Sequence, residues 1–140
     1  MSWLLDTVVV SEFRKDSRAD SSVLDWQDSV LGEQLWLSVI SLNELRFGFK
    51  RVETKDPEFA ARLRDWYDNQ VTSSEEIGFL PVDRSIAEIS GEYRAEFGMN
   101  YNDALIAATA KVHDLRLVTR NVKDFASTGI RIVNPWDYRK

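Results

Sequence analysis

The segment ALIAATAKVHDLRLVT, residues 104–119, decides the fold class because it joins a helix to a strand. Its first nine residues are small and apolar on nearly every side, which is typical of a helix that packs closely on a sheet. A short β-rich run, Arg116–Thr119, follows directly. A sheet covered by helices is the arrangement of α/β domains. The segment therefore predicts an α/β fold.

Short apolar runs of this kind alternate along the chain with longer stretches of helical period. The predicted strands are Trp3–Leu5, Gln34–Ser38, Gly78–Pro81, Arg116–Thr119 and Ile130–Val133. Such alternation favours a mostly parallel sheet with right-handed crossovers. We therefore expect a single domain over residues 1–140, a three-layer sandwich around a five-stranded, mostly parallel sheet. Residues 3–10 leave two alternatives open: one long strand, or a strand that ends at Asp6 and continues as a helix.

The composition excludes several kinds of catalytic site. The 140 residues contain no cysteine and one histidine, His113, so thiol nucleophiles, zinc–thiolate sites and multi-histidine metal sites are excluded or nearly so. The net charge of −5 argues against a broad nucleic-acid-binding surface but allows a local one. Any hydrolytic chemistry must therefore depend on carboxylates.

The beginning of the sequence has no basic region ahead of its short apolar run, which argues against an export signal. No run approaches the roughly 20 apolar residues that a membrane-spanning helix needs. We therefore expect a cytoplasmic protein that does not contact membranes.

Acids and amides follow several of the predicted strands. They are Asp6 after the first strand, Glu44 after the second, and Asn121 and Asp124 after the fourth. A further acid, Asp103, lies just before the small-residue helix that leads into the fourth strand. Ligands of open α/β sheets bind beyond the carboxyl ends of the strands. We therefore expect these side chains to meet at one edge of the sheet.

Each acid also has a purely structural interpretation. Asp6 could cap the helix that follows it. Ser41 and Glu44 have the spacing of a capping box, and Asp103 could stabilise a helix N-terminus, with Asn100 or Asn102 as the cap. Each acid alone is weak evidence, and their convergence at one sheet edge is what favours a shared site.

Clustered carboxylates without cysteine or histidine ligands favour Mg²⁺ or Mn²⁺ over zinc. Divalent cations can hydrolyse a phosphodiester without a covalent nucleophile, because they bind the phosphate and activate water. Basic residues near the same edge, namely Arg46, Arg120 and Lys123, could contact a nucleic-acid backbone. Ordinary surface charge would explain them equally well.

Four segments, LLDTVVVSEFRK, LSVISLNELRFGFKR, NYNDALIAATAKVHDLRLVTRNVKDF and IVNPW, resemble the PIN-domain ribonucleases, specifically the VapC and FitB-like toxins of toxin–antitoxin pairs. They occur in family order and at family spacing. The resemblance implies Mg²⁺- or Mn²⁺-dependent cleavage of RNA by a homodimer. It also implies an antitoxin partner that neutralises the enzyme and supplies a DNA-binding region.

The resemblance assigns roles to individual residues. It implies that Asp6, Glu44 and Asp103 are the catalytic acids, that Asp6 and Asp103 bind the metal, and that a helix follows Asp6. Two departures stand out: Val8 replaces a common asparagine, and Asn121 stands at the fourth acidic position. We expect Asn121 or Asp124 to complete the cluster and the Thr119 hydroxyl to support it.

Two other functions fit parts of the sequence. A PIN fold that has lost catalysis and acts mainly as a binding module together with its antitoxin would explain Val8 and Asn121. A phosphoacceptor receiver domain also places acids after parallel strands, but it needs paired acids after its first strand, where Asp6 stands alone.

Overall fold

In the computed structural model, which describes residues 2–140, five strands form one parallel sheet in the order β3-β2-β1-β4-β5. The strands are β1 (Ser2–Leu5), β2 (Gln34–Ser38), β3 (Ile77–Leu80), β4 (Arg116–Val118) and β5 (Ile132–Val133). The predicted fold class is confirmed. The predicted bounds of four strands differ from these by one or two residues, as hydrogen bonding rather than apolar pattern sets strand ends.

Seven α-helices surround the sheet in the described part of the chain. They are α1 (Thr7–Phe13), α2 (Ser21–Ser29), α3 (Val39–Val52), α4 (Pro57–Trp66), α5 (Arg84–Phe97), α6 (Tyr101–His113) and α7 (Val122–Phe125). Polar side chains cap most of their N-termini, as aspartates and asparagines commonly do. No helix within residues 2–140 is long and apolar enough to cross a membrane.

The sheet is apolar on both faces because helices cover both. Leu5 packs with Trp26 and Leu37 on one face, whereas Leu4 packs with Ile106 and Phe125 on the other. Successive residues of a strand point to opposite faces, so one strand serves both cores. Helix α6 buries every residue from 104 to 110, as its small-residue composition predicts.

Strand β1 lies at the centre of the sheet, between β2 and β4. From β1 the chain adds β2 and then β3 on one side of it. It then crosses over and adds β4 and β5 on the other side, so the direction of strand addition reverses at β1. Open α/β folds bind ligands at such a reversal of strand order. Of the two alternatives for residues 3–10, the second is correct: β1 ends at Leu5 and α1 begins at Thr7. Asp6 therefore occupies the reversal point.

Candidate active site

Asp6 is 5% exposed and lies between the end of β1 and the start of α1. The backbone N–H of Thr7 donates to its Oδ1 at 2.8 Å, and the hydroxyl of Thr119 donates to its Oδ2 at 2.7 Å. Asp6 is thus the N-cap of α1, as one alternative proposed. A helix cap can lie at the surface, whereas burying a carboxylate costs free energy. The burial of Asp6 therefore indicates a role beyond capping.

Glu44 lies in the second turn of α3, with its carboxylate turned toward α1 and α6. The Thr7 hydroxyl donates to its Oε1 at 2.6 Å, and the Asn102 amide donates to its Oε2 at 3.4 Å. The alternative of a Ser41–Glu44 capping box is wrong, because α3 begins three residues earlier than that box requires. Ser38, the last residue of β2, is the N-cap and accepts from the second helical N–H at 3.0 Å.

Asp103 lies in the first turn of α6 and is half-buried. Asn100, the N-cap of this helix, accepts from the backbone N–H of Asp103 at 2.8 Å and donates through its amide to Asp103 Oδ2 at 2.9 Å. Asp103 therefore does support the helix N-terminus, with Asn100 as the cap. This reciprocal pair also fixes the orientation of the carboxylate.

Repulsion between the acids, together with burial, contributes to the pKa values of two of them. Burial and then repulsion from Asp6 raise the pKa of Asp103 from 3.8 to about 6, and Asp124 and Glu44 add to the rise. Burial likewise raises the pKa of Asp6, hydrogen bonds from Thr119 and from the N–H of Thr7 lower it, and the charges of Glu44 and Asp124 raise it again. The four carboxylates come from four different elements.

Within residues 2–140, no lysine or arginine forms an ion pair with any of these four acids. In the same range, no three His, Asp or Glu side chains are arranged closely enough to ligate a single ion. The carboxylates thus have no ion-pair partner among these residues, and they are not arranged as a closed ligand shell.

The segment after β4, a short loop that leads into α7, brings the charge of Asp124 close to Asp6 and Asp103. The side chain of Asn121 makes no hydrogen bond within the described residues, although its backbone N–H donates to the Thr119 hydroxyl at 3.0 Å. Asp124 lines a cavity of about 380 Å³ together with Asp103, Asn100 and Lys123. Thr119 is fully buried and joins Asp6 to this loop.

Of the three basic residues singled out in the sequence, Lys123 is the one that lines the cavity beside the acids. The guanidinium of Arg120 instead lies over the ring of Trp136, 5.0 Å from its centre. Arg46 lies over the rings of Phe49 and Tyr67, at 5.5 and 5.3 Å. The structure thus places the three cations in separate surroundings.

The sequence profile of the PIN-domain family matches residues 3–130 of this chain. The chain belongs to the PIN-domain family. It is 33% identical to the VapC ribonuclease Y4jK of Sinorhizobium fredii, covering 96% of this chain and 97% of that protein. It is 30% identical to the toxin FitB of Neisseria gonorrhoeae, covering 95% and 97% respectively. The structure of FitAB bound to the IR36 DNA fragment superposes with a TM-score of 0.81, at 28% identity, over 100% of this chain and 99% of that chain. The resemblance seen in the sequence is confirmed.

This PIN domain contains polar side chains at the acid cluster to which the sequence interpretation gave no role in orienting the acids. The hydroxyls of Thr7 and Ser41 are hydrogen-bonded at 2.8 Å, and Thr7 and Asn102 both donate to Glu44. Thr7 directly follows Asp6, and Asn102 directly precedes Asp103. Adjacency to a predicted acid was the signal that could have identified them.

Val8, at the position where the resemblance implied an asparagine, lies in α1 and packs against the core on its side of the sheet. Val8 therefore adds an apolar contact to the core and no polar group to the acid cluster. Amides that hydrogen-bond to the acids come from elsewhere in the chain, since Asn100 donates to Asp103 and Asn102 of α6 donates to Glu44.

Proposed function

We propose that this PIN-domain protein is a metal-dependent endoribonuclease and the toxin of a toxin–antitoxin pair. One observation carries the proposal: Asp6, Glu44, Asp103 and Asp124 converge from four elements at the carboxyl end of the central strand, and no basic side chain of residues 2–140 is paired with them. A bound divalent cation would supply the positive charge that compensates such a cluster. The names of the VapC ribonuclease and FitB toxin relatives agree with it.

The donor set fits Mg²⁺ or Mn²⁺, because the candidate ligands are carboxylate oxygens and, at Asn121, an amide oxygen, and the chain contains no cysteine. We assign Asp6 and Asp103 as the metal-binding pair, assisted by Glu44 and by Asp124 or Asn121. Mg²⁺ keeps several of its waters, so the wider spacing of the acids suits binding that is partly through water. When bound, the cation would supply Lewis-acid activation of water and stabilise charge on the phosphate.

The chain's own residues hold these carboxylates in place. Thr119 and the N–H of Thr7 fix both oxygens of Asp6, and Asn100 fixes Asp103. Carboxylates held by hydrogen bonds before the substrate arrives lose little conformational freedom when they act. Glu44 is positioned by a hydroxyl and an amide, and we assign it the role of orienting the attacking water.

The proposed substrate is RNA, and Lys123, beside Asp103 and Asp124, is the best placed of the three predicted cations to contact its backbone. The proposed partner is an antitoxin that inhibits the enzyme and binds DNA, since the chain is similar to the toxin FitB and to a chain in the structure of FitAB bound to a DNA fragment. We propose that the active form is a homodimer.

Replacing Asp6 by asparagine tests the proposal. Asparagine caps helices about as well as aspartate, so Asp6→Asn should fold but lose metal-dependent cleavage of RNA. The expected loss exceeds about 100-fold, the upper end for residues that only support a metal ligand. Asp83→Asn is the matched control, because Asp83 is the N-cap of α5 and accepts from a helical N–H in the same way.

The control should cleave RNA at the wild-type rate. Wild-type cleavage by purified Asp6→Asn would contradict the proposal. Calorimetric titration of the wild type with Mg²⁺ distinguishes the nuclease from a PIN fold that has lost catalysis and acts as a binding module, because such a module should show no magnesium site.

A further inference from the structure

One face of α3 leads away from the acid cluster. Glu44, Phe47 and Arg51 are spaced three and four residues apart, so they form one stripe along this helix. At 1.5 Å per residue, Phe47 lies about 5 Å and Arg51 about 10 Å along the axis from Glu44. The stripe therefore begins at the candidate active site and extends over a length comparable to roughly one to three nucleotides.

Phe47 is exposed to an unusual degree for a large aromatic residue. It is 63% exposed, and the guanidinium of Arg51 lies 5.4 Å from the centre of its ring. Core packing does not explain the ring, because most of it contacts solvent. The guanidinium lies over the ring, and the part of the ring that stays exposed presents a stacking surface next to a positive charge.

Around this pair lies an open groove of about 650 Å³, which we call the α3 groove. Its lining residues are Asn43, Arg46, Phe47, Phe49, Lys50, Arg51 and Arg64. Within residues 2–140, Glu53 compensates two of its four cations, pairing with Lys50 at 2.9 Å and with Arg64 at 3.3 Å. Arg46 and Arg51 have no carboxylate partner in that range.

We propose that the α3 groove binds the single-stranded RNA segment that flanks the bond cleaved at the acid cluster, with one base stacked on Phe47 and phosphates held by Arg46 and Arg51. This inference rests on the proposed function. Proteins that bind single strands combine a basic groove with aromatic rings in this manner. The concentration of uncompensated cations on a chain of net charge −5 makes the groove complementary to a polyanion.

Two variants separate stacking from charge. Phe47→Leu keeps an apolar side chain but removes the ring, and Arg51→Gln removes the charge. Leu31→Ala is the control, since Leu31 is 68% exposed and follows α2, on a different element. Binding of a short, unstructured, fluorescently labelled RNA would be measured by anisotropy in EDTA, which prevents metal-dependent cleavage, over a series of salt concentrations.

Phe47→Leu should weaken binding about tenfold with an unchanged salt dependence, because stacking is not a counterion effect. Arg51→Gln should weaken binding and reduce the slope of log K against log salt by about 0.7, the value for one phosphate contact on a single strand. Leu31→Ala should bind as the wild type does. Circular dichroism would verify that each variant is folded.

Wild-type affinity and salt slope in both groove variants would overturn the inference, even if the wild type cleaves RNA. If the wild type fails to cleave but binds RNA through Phe47 and Arg51, the proposed function falls, and with it the link to a cleaved bond, while RNA binding by the groove stands. If the variants bind RNA normally but lose a co-expressed protein partner, the groove belongs to that partner and the inference is wrong.

Discussion

Replacing Asp103 by asparagine should stabilise the metal-free protein while removing its response to Mg²⁺. Burial, repulsion from Asp6 and the charges of Asp124 and Glu44 make the ionised form of Asp103 unfavourable in the folded state. Asparagine is nearly isosteric, can still pair with Asn100 and carries no charge. The variant should therefore relieve repulsion that only a bound cation relieves in the wild type.

The pKa gives the magnitude. A rise from 3.8 to about 6 corresponds to about 3 kcal/mol, at about 1.4 kcal/mol per pH unit. Asp103 is only half-buried, so solvent screening reduces this figure, and the variant also loses a favourable interaction with the N-terminus of α6. We expect a net gain of about 1–2 kcal/mol at neutral pH, or roughly 3–6 °C in Tm for a chain of this size.

The pH dependence has a definite sign. Below pH 3.8 Asp103 is protonated in both the folded and the unfolded state, so the two proteins should have similar stability. Between pH 3.8 and about 6 the unfolded state releases the proton first, and the wild type loses stability relative to the variant as the pH rises. Above about pH 6 the difference should be constant. Comparing the two proteins cancels the opposite contribution of carboxyls such as Glu12, whose pKa is lowered first of all by a hydrogen bond from Lys15.

The assay is thermal or urea unfolding in EDTA across this pH range, repeated with Mg²⁺. Mg²⁺ should raise the Tm of the wild type, since a ligand that binds only the folded state stabilises it, and should leave Asp103→Asn unchanged. Asp68→Asn, a change at an exposed residue after α4, is the control. A variant no more stable than the wild type in EDTA at neutral pH would refute the reasoning.

Two further predictions concern stability. Thr119→Val should lower the free energy of unfolding, measured by urea denaturation, by about 1–3 kcal/mol, because it leaves the buried carboxylate of Asp6 without its Oδ2 partner. Thr119→Ser keeps the hydroxyl and should remain near the wild type. Equal losses in both variants would show that the methyl group matters instead. Gly78→Ala should lower the free energy of unfolding by about 1–3 kcal/mol, because the new Cβ would collide with the ring of Trp36. Gly91→Ala, in α5 with open space around the new Cβ, should raise it by about 0.5–1 kcal/mol. The same sign of change at both glycines would contradict this prediction.

The sequence predicts the sheet well because burial leaves a clear pattern, and it fails where one pattern suits two structures. Residues 8–10 are three consecutive valines, which fit a strand or a buried helix equally. The structure makes them part of α1, with Val9 and Val10 buried. Asp6 decides the outcome because its carboxylate caps the helix at that point.

The acids of the site could be predicted because each follows or precedes an element that the pattern reveals. The groups that orient them could not, since Thr7 meets Ser41 and Glu44 from 34 and 37 positions away in the chain. The capping box of Ser41 and Glu44 is wrong for a related reason, since a local motif does not show where the preceding strand ends. Ser41 and Glu44 match the local motif, but Ser38 stands at the end of β2 and begins the helix first.

The most direct test of the shared acid site is a crystal structure of the protein grown or soaked with Mn²⁺, read from an anomalous difference map. A peak should lie beyond the carboxyl end of β1, in direct contact with a carboxylate oxygen of Asp6 or Asp103, with waters joining it to the other acids. The same map from Asp6→Asn should show no peak there. A wild-type map without density between these acids, or with its manganese bound elsewhere, would contradict the account.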